Sequence, residues 1–232
     1  MPGVNMDKEQ VLEKIGAERL IAVVRVSESE KVVRKTIEAL SAAGVSVIEI
    51  TTTVPDAVAL VGSLTDITDR DFLIGAGTVL DAQTAAAMIE AGAEFIVSPA
   101  IIEEVIATAN LAGVPVFPGA LTPTEVLRAH SLGASAVKVF PASLFGPFYL
   151  KALAGPLPGV PLIPTGGVNL GNITDYIRAG AFAVGVGGNL IDTYAIRAGD
   201  WASVSATAMA YVKVVKGSRA PGIIGRGGPV KP

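Results

Sequence analysis

Residues 114–140 read VPVFPGALTPTEVLRAHSLGASAVKVF and predict one complete strand–helix–strand unit. The apolar run Val114–Pro118 has the length of a buried strand. Thr122 and Glu125 follow it with the spacing of a helix capping box, and Gly133 ends the helix that this box begins. A second apolar run comes directly after that glycine. Short apolar strands joined by a helix are typical of parallel sheets that are covered on both faces.

The same alternation recurs along the whole chain. Eight short apolar runs are predicted strands, namely Ile21–Val26, Val47–Thr52, Phe72–Thr78, Glu94–Ser98, Val114–Pro118, Ala136–Phe140, Pro161–Pro164 and Ala183–Val186. Eight strand–helix units predict an α/β protein with a single (β/α)8 TIM barrel over residues 1–215, beginning with an N-terminal helix. The alternative is an open doubly wound sheet with a G-x-G-x-x-G loop after the first strand, which the stretch from Arg25 to Glu28 lacks.

Composition excludes several classes of site and of function. The chain has 232 residues, half of them hydrophobic, a net charge of −3, one histidine and no cysteine. Without cysteine, a disulfide framework, a zinc–cysteine centre and a thiol nucleophile are excluded. The small net charge argues against nucleic-acid binding. The N-terminal residues lack a signal-peptide pattern and the uncharged stretches are broken by Pro and Gly, so we expect a cytoplasmic protein without a membrane partner.

The last seventeen residues, 216–232, differ in composition from the rest. They are rich in glycine and proline and carry four basic residues and no acidic one. We expect this segment to be a disordered tail beyond the barrel, with binding of a phosphate or a partner as the alternative role.

Two charged residues interrupt strands that should be apolar. Lys138 lies between two valines, and Glu49 lies between two isoleucines. Because side chains alternate along a strand, each charge falls on the face opposite to those neighbours. Burial favours the neutral form of a lysine amine, which is a nucleophile. An amine and a carboxylate around one pocket indicate Schiff-base chemistry on a carbonyl substrate, with Glu49 as general acid/base. An ion pair of Glu49 with Lys138 or Arg25 is the structural alternative.

Further candidates lie where the predicted strands end, which is the end of a barrel that carries the chemistry. Arg25 ends the first strand and is a candidate partner for a substrate carboxylate, with an ion pair to Glu49 as the alternative. Thr78 offers a hydroxyl and backbone N–H groups, with capping of the next helix as the alternative. Glycine pairs beginning at Gly166 and Gly187 end the seventh and eighth strands. Phosphate sites often use these two loops, although either pair alone is equally typical of turns that need a positive φ.

With these residues the chain resembles the class I aldolases that cleave 2-keto-3-deoxy-6-phosphogluconate or 4-hydroxy-2-oxoglutarate. The resemblance covers residues 10–215 and depends on the order and spacing of four stretches. They are VIEIT at 47–51, GAGTVL at 75–80, KVFPA at 138–142 and PTGGV at 164–168. Gly146-Pro147 followed by YLKAL at 149–153 strengthens the match.

The resemblance implies a metal-free and cofactor-free enzyme, commonly a homotrimer, that acts on a small 2-keto acid. It implies that Lys138 forms the imine and that Glu49 is the general acid/base. It also implies that Thr78 contacts the pyruvate carboxylate, that Arg25 binds substrate, and that Thr165 influences stereochemical preference. The phosphate end is implied at three glycines, Gly166, Gly187 and Gly188.

Two positions depart from the pattern of some family members, and both bear on substrate preference. Thr53 stands where an arginine follows the catalytic glutamate by four residues, and Gly188 stands where a serine binds phosphate. A sister group acts on the 6-phosphogalactonate epimer. A phosphosugar epimerase or synthase, and a non-catalytic oligomeric scaffold, are alternatives on the same barrel.

Overall fold

The computed structural model describes residues 6–67 and 70–218. The strands are β1 Leu20–Val24, β2 Val47–Thr51, β3 Leu73–Gly77, β4 Ile96–Val97, β5 Val116–Phe117, β6 Gly119–Ala120, β7 Val137–Val139, β8 Leu162–Pro164 and β9 Val184–Val186. The helices are α1 Lys8–Glu18, α2 Glu30–Ala42, α3 Ala57–Thr65, α4 Ala82–Glu90, α5 Glu103–Leu111, α6 Pro123–Ser131, α7 Gly146–Ala154, α8 Ile173–Arg178, α9 Thr193–Ala198 and α10 Trp201–Gly217. A 3₁₀ turn, η1, spans Ala142–Leu144 after β7.

The strands form one closed parallel ring. Six of them pair in the order β5-β4-β3-β2-β1-β9, and the other three pair in the order β6-β7-β8. The two sheets join on one side because β5 and β6 are a single run of chain interrupted at Pro118, whose carbonyl accepts from the Lys138 N–H at 2.9 Å. They join on the other side where Thr165 bridges Gly185. Counting 116–120 as one strand gives eight, so the predicted (β/α)8 barrel is confirmed.

Apolar side chains form two separate layers around the strands. The larger layer lies between the strands and the surrounding helices. The smaller layer fills the barrel interior and includes Ile21, Val47, Leu73, Phe95 and Ala183, all near the start of their strands. Two buried residues of α1, Val11 and Ile15, belong to this inner layer. The N-terminal helix therefore closes the end of the barrel at which the strands begin.

Local signals in the sequence explain where several helices begin and end. The Asp81 carboxylate accepts the Thr84 N–H at 2.7 Å and caps α4. Thr122 and Glu125 form the predicted capping box of α6. After six helices the chain turns at a glycine with positive φ, a conformation that glycine adopts at little cost. These glycines are Gly44, Gly92, Gly113, Gly133, Gly180 and Gly199.

Three features were not expected from the sequence. The fifth predicted strand is split at Pro118, which has no N–H to donate, and resumes at Gly119. The short helices η1 and α9 follow the sixth and eighth barrel strands. Helix α10 runs to Gly217, two residues past the predicted boundary at 215, and the predicted tail beyond 218 lies outside the described residues. In the two described ranges, no helix is both long and apolar enough to cross a membrane.

Candidate active site

The barrel interior brings together the two charged side chains that the sequence singles out. Glu49 projects from β2 and Lys138 from β7, and the lysine Nζ lies 3.8 Å from the glutamate Oε1. Both residues are buried, at 2% and 3% exposure. The alternation along each strand is the reason, since the flanking Val137 and Val139 lie in the outer apolar layer. The predicted placement of both charges inside the barrel is confirmed.

The geometry of this pair leaves room for a third group. The two charges form the ion pair that the sequence left open as the structural alternative, although 3.8 Å is too long for a hydrogen bond between Nζ and Oε1. Oε1 of Glu49 is buried and has no hydrogen-bond partner among the described residues. Buried polar atoms without a partner are rare, and each requires an explanation. A polar atom of a bound molecule that lay beside this pair, within about 3 Å of both Nζ and Oε1, would satisfy both groups.

An aromatic ring forms a further side of the lysine environment. The Nζ of Lys138 lies 5.5 Å from the centre of the Phe140 ring, within the range of a cation–π contact. A Cβ on Gly166 would lie 3.4 Å from the same ring, so the loop after β8 packs against Phe140. Sequence reasoning did not assign Phe140 to the site. The sequence spacing could have identified it, because Phe140 lies two residues beyond Lys138 and therefore on the same face of the strand.

Arg25 and Thr78 form a second polar group at the carboxyl ends of β1 and β3. The Arg25 guanidinium donates to the Thr78 hydroxyl over 3.4 Å. Thr78 has a φ of 58°, and its carbonyl accepts from the Thr52 hydroxyl at 2.8 Å. Arg25 is exposed and makes no ion pair with Glu49, so that structural alternative is excluded. Asp81 caps the next helix, so the capping role considered for Thr78 is excluded as well.

The threonines around this group are held by local contacts. At the position where some family members have arginine, the Thr53 hydroxyl lies 2.7 Å from that of Thr51. Thr165 is 8% exposed and follows β8 directly. A Cβ on Gly185 would lie 2.3 Å from the Thr165 Oγ1, so the glycine in β9 makes the space that Thr165 occupies.

The two glycine loops that the sequence associates with phosphate lie side by side. The Asn189 side-chain amide donates to the Val168 carbonyl at 2.9 Å and ties the loop after β9 to the loop after β8. Gly166 has a φ of 91°, a backbone conformation that favours glycine. Gly187 and Gly188 do not have a positive φ, so their backbone conformation does not require glycine. Around Gly188 there is open space, with no atom within 4 Å of where its Cβ would lie. The open surface at Gly188 has room for an anion.

Metal-binding side chains do not cluster in the described part of the chain. Across residues 6–67 and 70–218, no group of three or more His, Asp or Glu side chains is arranged to hold an ion.

Known proteins match this chain over most of its length. The family model for KDPG and KHG aldolase matches residues 11–207. A 2-dehydro-3-deoxy-phosphogluconate aldolase from Pseudomonas aeruginosa is 36% identical over 80% of this chain and 84% of its own. A 2-dehydro-3-deoxy-6-phosphogalactonate aldolase from Escherichia coli is also 36% identical, over 86% of this chain and 94% of its own.

A solved structure adds a chemical observation. KDPG aldolase from Legionella pneumophila, with pyruvate captured as a covalent carbinolamine intermediate, superimposes with a TM-score of 0.79 at 31% identity. The match covers 87% of this chain and 97% of that one. The family match, the two relatives and the buried amine–carboxylate pair agree. The chain belongs to the KDPG and KHG aldolase family and is a carbon–carbon lyase of the Schiff-base type.

Proposed function

We propose that this protein cleaves 2-keto-3-deoxy-6-phosphogluconate reversibly to pyruvate and glyceraldehyde 3-phosphate through an imine on Lys138. The observation that carries the proposal is the buried pair of Lys138 and Glu49, 3.8 Å apart, with an unpartnered carboxylate oxygen facing the amine. Nucleophilic amines and general acid/base carboxylates are the groups that this reaction requires. The related 4-hydroxy-2-oxoglutarate, which yields pyruvate and glyoxylate, is a second substrate of the same chemistry.

The reaction divides into steps that the two groups share. The neutral amine of Lys138 attacks the C2 carbonyl to give a carbinolamine, which loses water to become a protonated imine. Glu49 removes the proton of the C4 hydroxyl, the C3–C4 bond breaks, and its electrons move into the imine. The aldehyde leaves, and the resulting enamine is protonated at C3 by the acid form of Glu49. Water then attacks the imine and releases pyruvate with the free amine.

The remaining polar groups are assigned to binding. Arg25 and Thr78 receive the substrate carboxylate, because a guanidinium and a hydroxyl at the carboxyl ends of β1 and β3 are suitable donors. Thr165 is assigned to stereochemical preference, as the family resemblance implies. The loops that contain Gly166, Gly187 and Gly188 receive the phosphate, as the loops after the last two strands do in many barrels of this class.

Trapping the imine tests the covalent step. The protein is incubated with pyruvate and sodium borohydride, and the adduct is located by intact and peptide mass spectrometry. We expect a reduced pyruvate adduct on the peptide that contains Lys138. It should be absent in Lys138→Ala and retained in Lys151→Ala, which removes an exposed lysine of α7. An adduct on another lysine would contradict the site.

The same experiment separates the competing functions. A phosphosugar epimerase or synthase would move protons without a covalent adduct, and a non-catalytic scaffold would show neither adduct nor turnover. If no adduct formed with pyruvate in large excess, the aldolase proposal would be wrong.

The 6-phosphogalactonate epimer is the second candidate substrate, because the Escherichia coli relative named for it matches this chain at the same identity. The two epimers differ at C4, where Thr165 is assigned. A comparison of kcat/KM for the two 2-keto-3-deoxy-6-phospho substrates decides between them. We expect the gluconate-derived epimer to be preferred, and a higher value for the galactonate-derived epimer would reverse the assignment.

We also propose that the enzyme acts as a cytoplasmic homotrimer, which the family resemblance supports. Light scattering of the purified protein is then expected to give a mass three times the 23.6 kDa of one chain. A mass of one chain would exclude the trimer. Fractionation of the source cells would test the location.

A further inference from the structure

The inner face of β3 lacks side chains over most of its length. Leu73, Gly75 and Gly77 point inward, and only the leucine has a side chain. Neither glycine has a positive φ, so the backbone conformation does not require glycine at these two positions. The reason for glycine must be the space that a side chain would fill.

Two large side chains from neighbouring strands occupy that space. A Cβ on Gly75 would lie 2.2 Å from the ring of Phe95. A Cβ on Gly77 would lie 1.9 Å from Oε1, 2.5 Å from Cδ and 2.6 Å from Cγ of Glu49. Glu49 pairs with Gly75 in the register of the two strands, so its side chain extends toward the carboxyl ends of the strands to reach Gly77. The outer half of the glutamate therefore rests directly on the backbone of β3.

We propose that Gly77 is a positioning residue for the Glu49 carboxylate, an inference that rests on the proposed aldolase function. A methyl group at position 77 would overlap Oε1 and drive the carboxylate from its place beside the Lys138 amine. Glu49 is 2% exposed, so its carboxylate has little freedom to move without rearranging the interior. The lysine lies on the opposite side of the barrel and would keep its own position.

Gly77→Ala is the direct test, with two readouts. Misplacing a general acid/base costs about 10²-fold or more in rate, so we expect kcat for aldol cleavage to fall about 100-fold. Borohydride trapping of pyruvate on Lys138 should persist, because attack of the amine on the carbonyl does not require Glu49 to be in place. Gly62→Ala in α3 is the matched control, since its added methyl group meets no atom closer than 3.8 Å. We expect that control to retain wild-type kcat.

A double-mutant cycle with Glu49→Ala shows whether Gly77 acts through the carboxylate. Residues in contact couple, whereas independent effects add. In the Glu49→Ala background, we expect Gly77→Ala to change kcat by less than about twofold, because the group it displaces is gone. A further loss of about 100-fold in that background would overturn the inference, as would wild-type kcat in Gly77→Ala alone.

The same cycle covers the case in which Gly77→Ala does not fold. If the overlap with Glu49 is the cause, removing the glutamate side chain relieves it, and the double variant should unfold at the same temperature as Glu49→Ala. A double variant that also fails to fold would overturn the inference. These outcomes are separate from the proposed function, which fails if the wild-type protein forms no pyruvate adduct on Lys138.

Discussion

At the scale of single residues, the mouth of the barrel presents one exposed guanidinium that is free to bind a carboxylate. Arg25 is held near Thr78 by a hydrogen bond of 3.4 Å and makes no ion pair among the described residues. Hydrogen bonds to charged groups contribute about 1.5–3 kcal/mol. Arg25→Ala should therefore raise KM for the keto acid about 10- to 100-fold in steady-state assays.

Arg128→Ala is the control for that prediction, because this arginine pairs with Glu103 on the outside of the barrel. Its KM should equal that of the wild type. An unchanged KM in Arg25→Ala would assign carboxylate binding to other groups.

Gly185 has no side chain and so leaves the space that the Thr165 side chain occupies. Its Cβ would lie 2.3 Å from the Thr165 Oγ1, so Gly185→Ala should push the hydroxyl away from C4 of the substrate. We expect the ratio of kcat/KM for the two C4 epimers to change by about 5-fold, the effect of roughly 1 kcal/mol. Kinetics with both epimers measure it. Gly217→Ala, whose Cβ would meet nothing within 4 Å, should leave the ratio unchanged.

The burial of Lys138 and Glu49 opposite their apolar neighbours could be predicted from the sequence, but the geometry of the pair could not. Alternation along two short strands places Lys138 and Glu49 on inward faces, and the structure buries both. The distance between them depends on closure of the ring, which brings β2 and β7 face to face. The space around them depends on glycines such as Gly77, whose role is visible only once the neighbouring strand is in place.

At the scale of elements, the capping box of α6 makes one helix sensitive to acid. The pKa of Glu125 is lowered chiefly because its carboxylate accepts the Thr122 N–H, and further because it accepts the Leu121 N–H and the Thr122 hydroxyl. Since the folded pKa lies below the ordinary 4.5, the stabilisation is present above that pH and is lost as the pH falls through the folded value.

Denaturant unfolding at a series of pH values tests this cap. Glu125→Ala should lower the free energy of unfolding at pH 7 by less than about 1 kcal/mol, because the carboxylate is exposed and screened. The difference from wild type should shrink as the pH approaches 3. Glu13→Ala, which removes an exposed carboxylate of α1, provides the comparison. A difference for Glu125→Ala that stayed constant down to pH 3 would contradict the prediction.

The capping box of α6 could be read from the sequence, and Thr122 and Glu125 form it in the structure. A capping residue alone does not predict a helix, as α9 shows, where the Asp192 carboxylate accepts the Tyr194 N–H. The six-residue helix α9 was missed because its sequence has no separate apolar period of useful length.

At the scale of the whole molecule, stability and chemistry lie at opposite ends of the barrel. Ile15 of α1 is fully buried in the inner apolar layer at the end where strands begin. Truncating a buried isoleucine to alanine costs about 2–5 kcal/mol. Ile15→Ala should therefore lower the free energy of unfolding by that amount in denaturant titrations, while kcat of the folded protein stays at the wild-type value.

The division of stability and chemistry between the two ends of the barrel could not be predicted in full from the sequence. The amphipathic pattern before Glu18 predicts a helix, and the structure contains it as α1. Its docking beneath the barrel depends on tertiary contacts, such as the close fit of Gly16 against the Phe182 ring. A loss of kcat in Ile15→Ala without a loss of stability would contradict the division between the two ends.

The pairing of β1 with both β2 and β9 has a consequence for the order of synthesis. Leu20 pairs with Val184, so the first strand to leave the ribosome keeps one unpaired edge until the last strand follows it. A nascent chain that ends before β9 already contains Lys138 and Glu49, yet its ring of strands is still open along β1. The closed barrel interior that holds both side chains is therefore complete only when β9 has been synthesised.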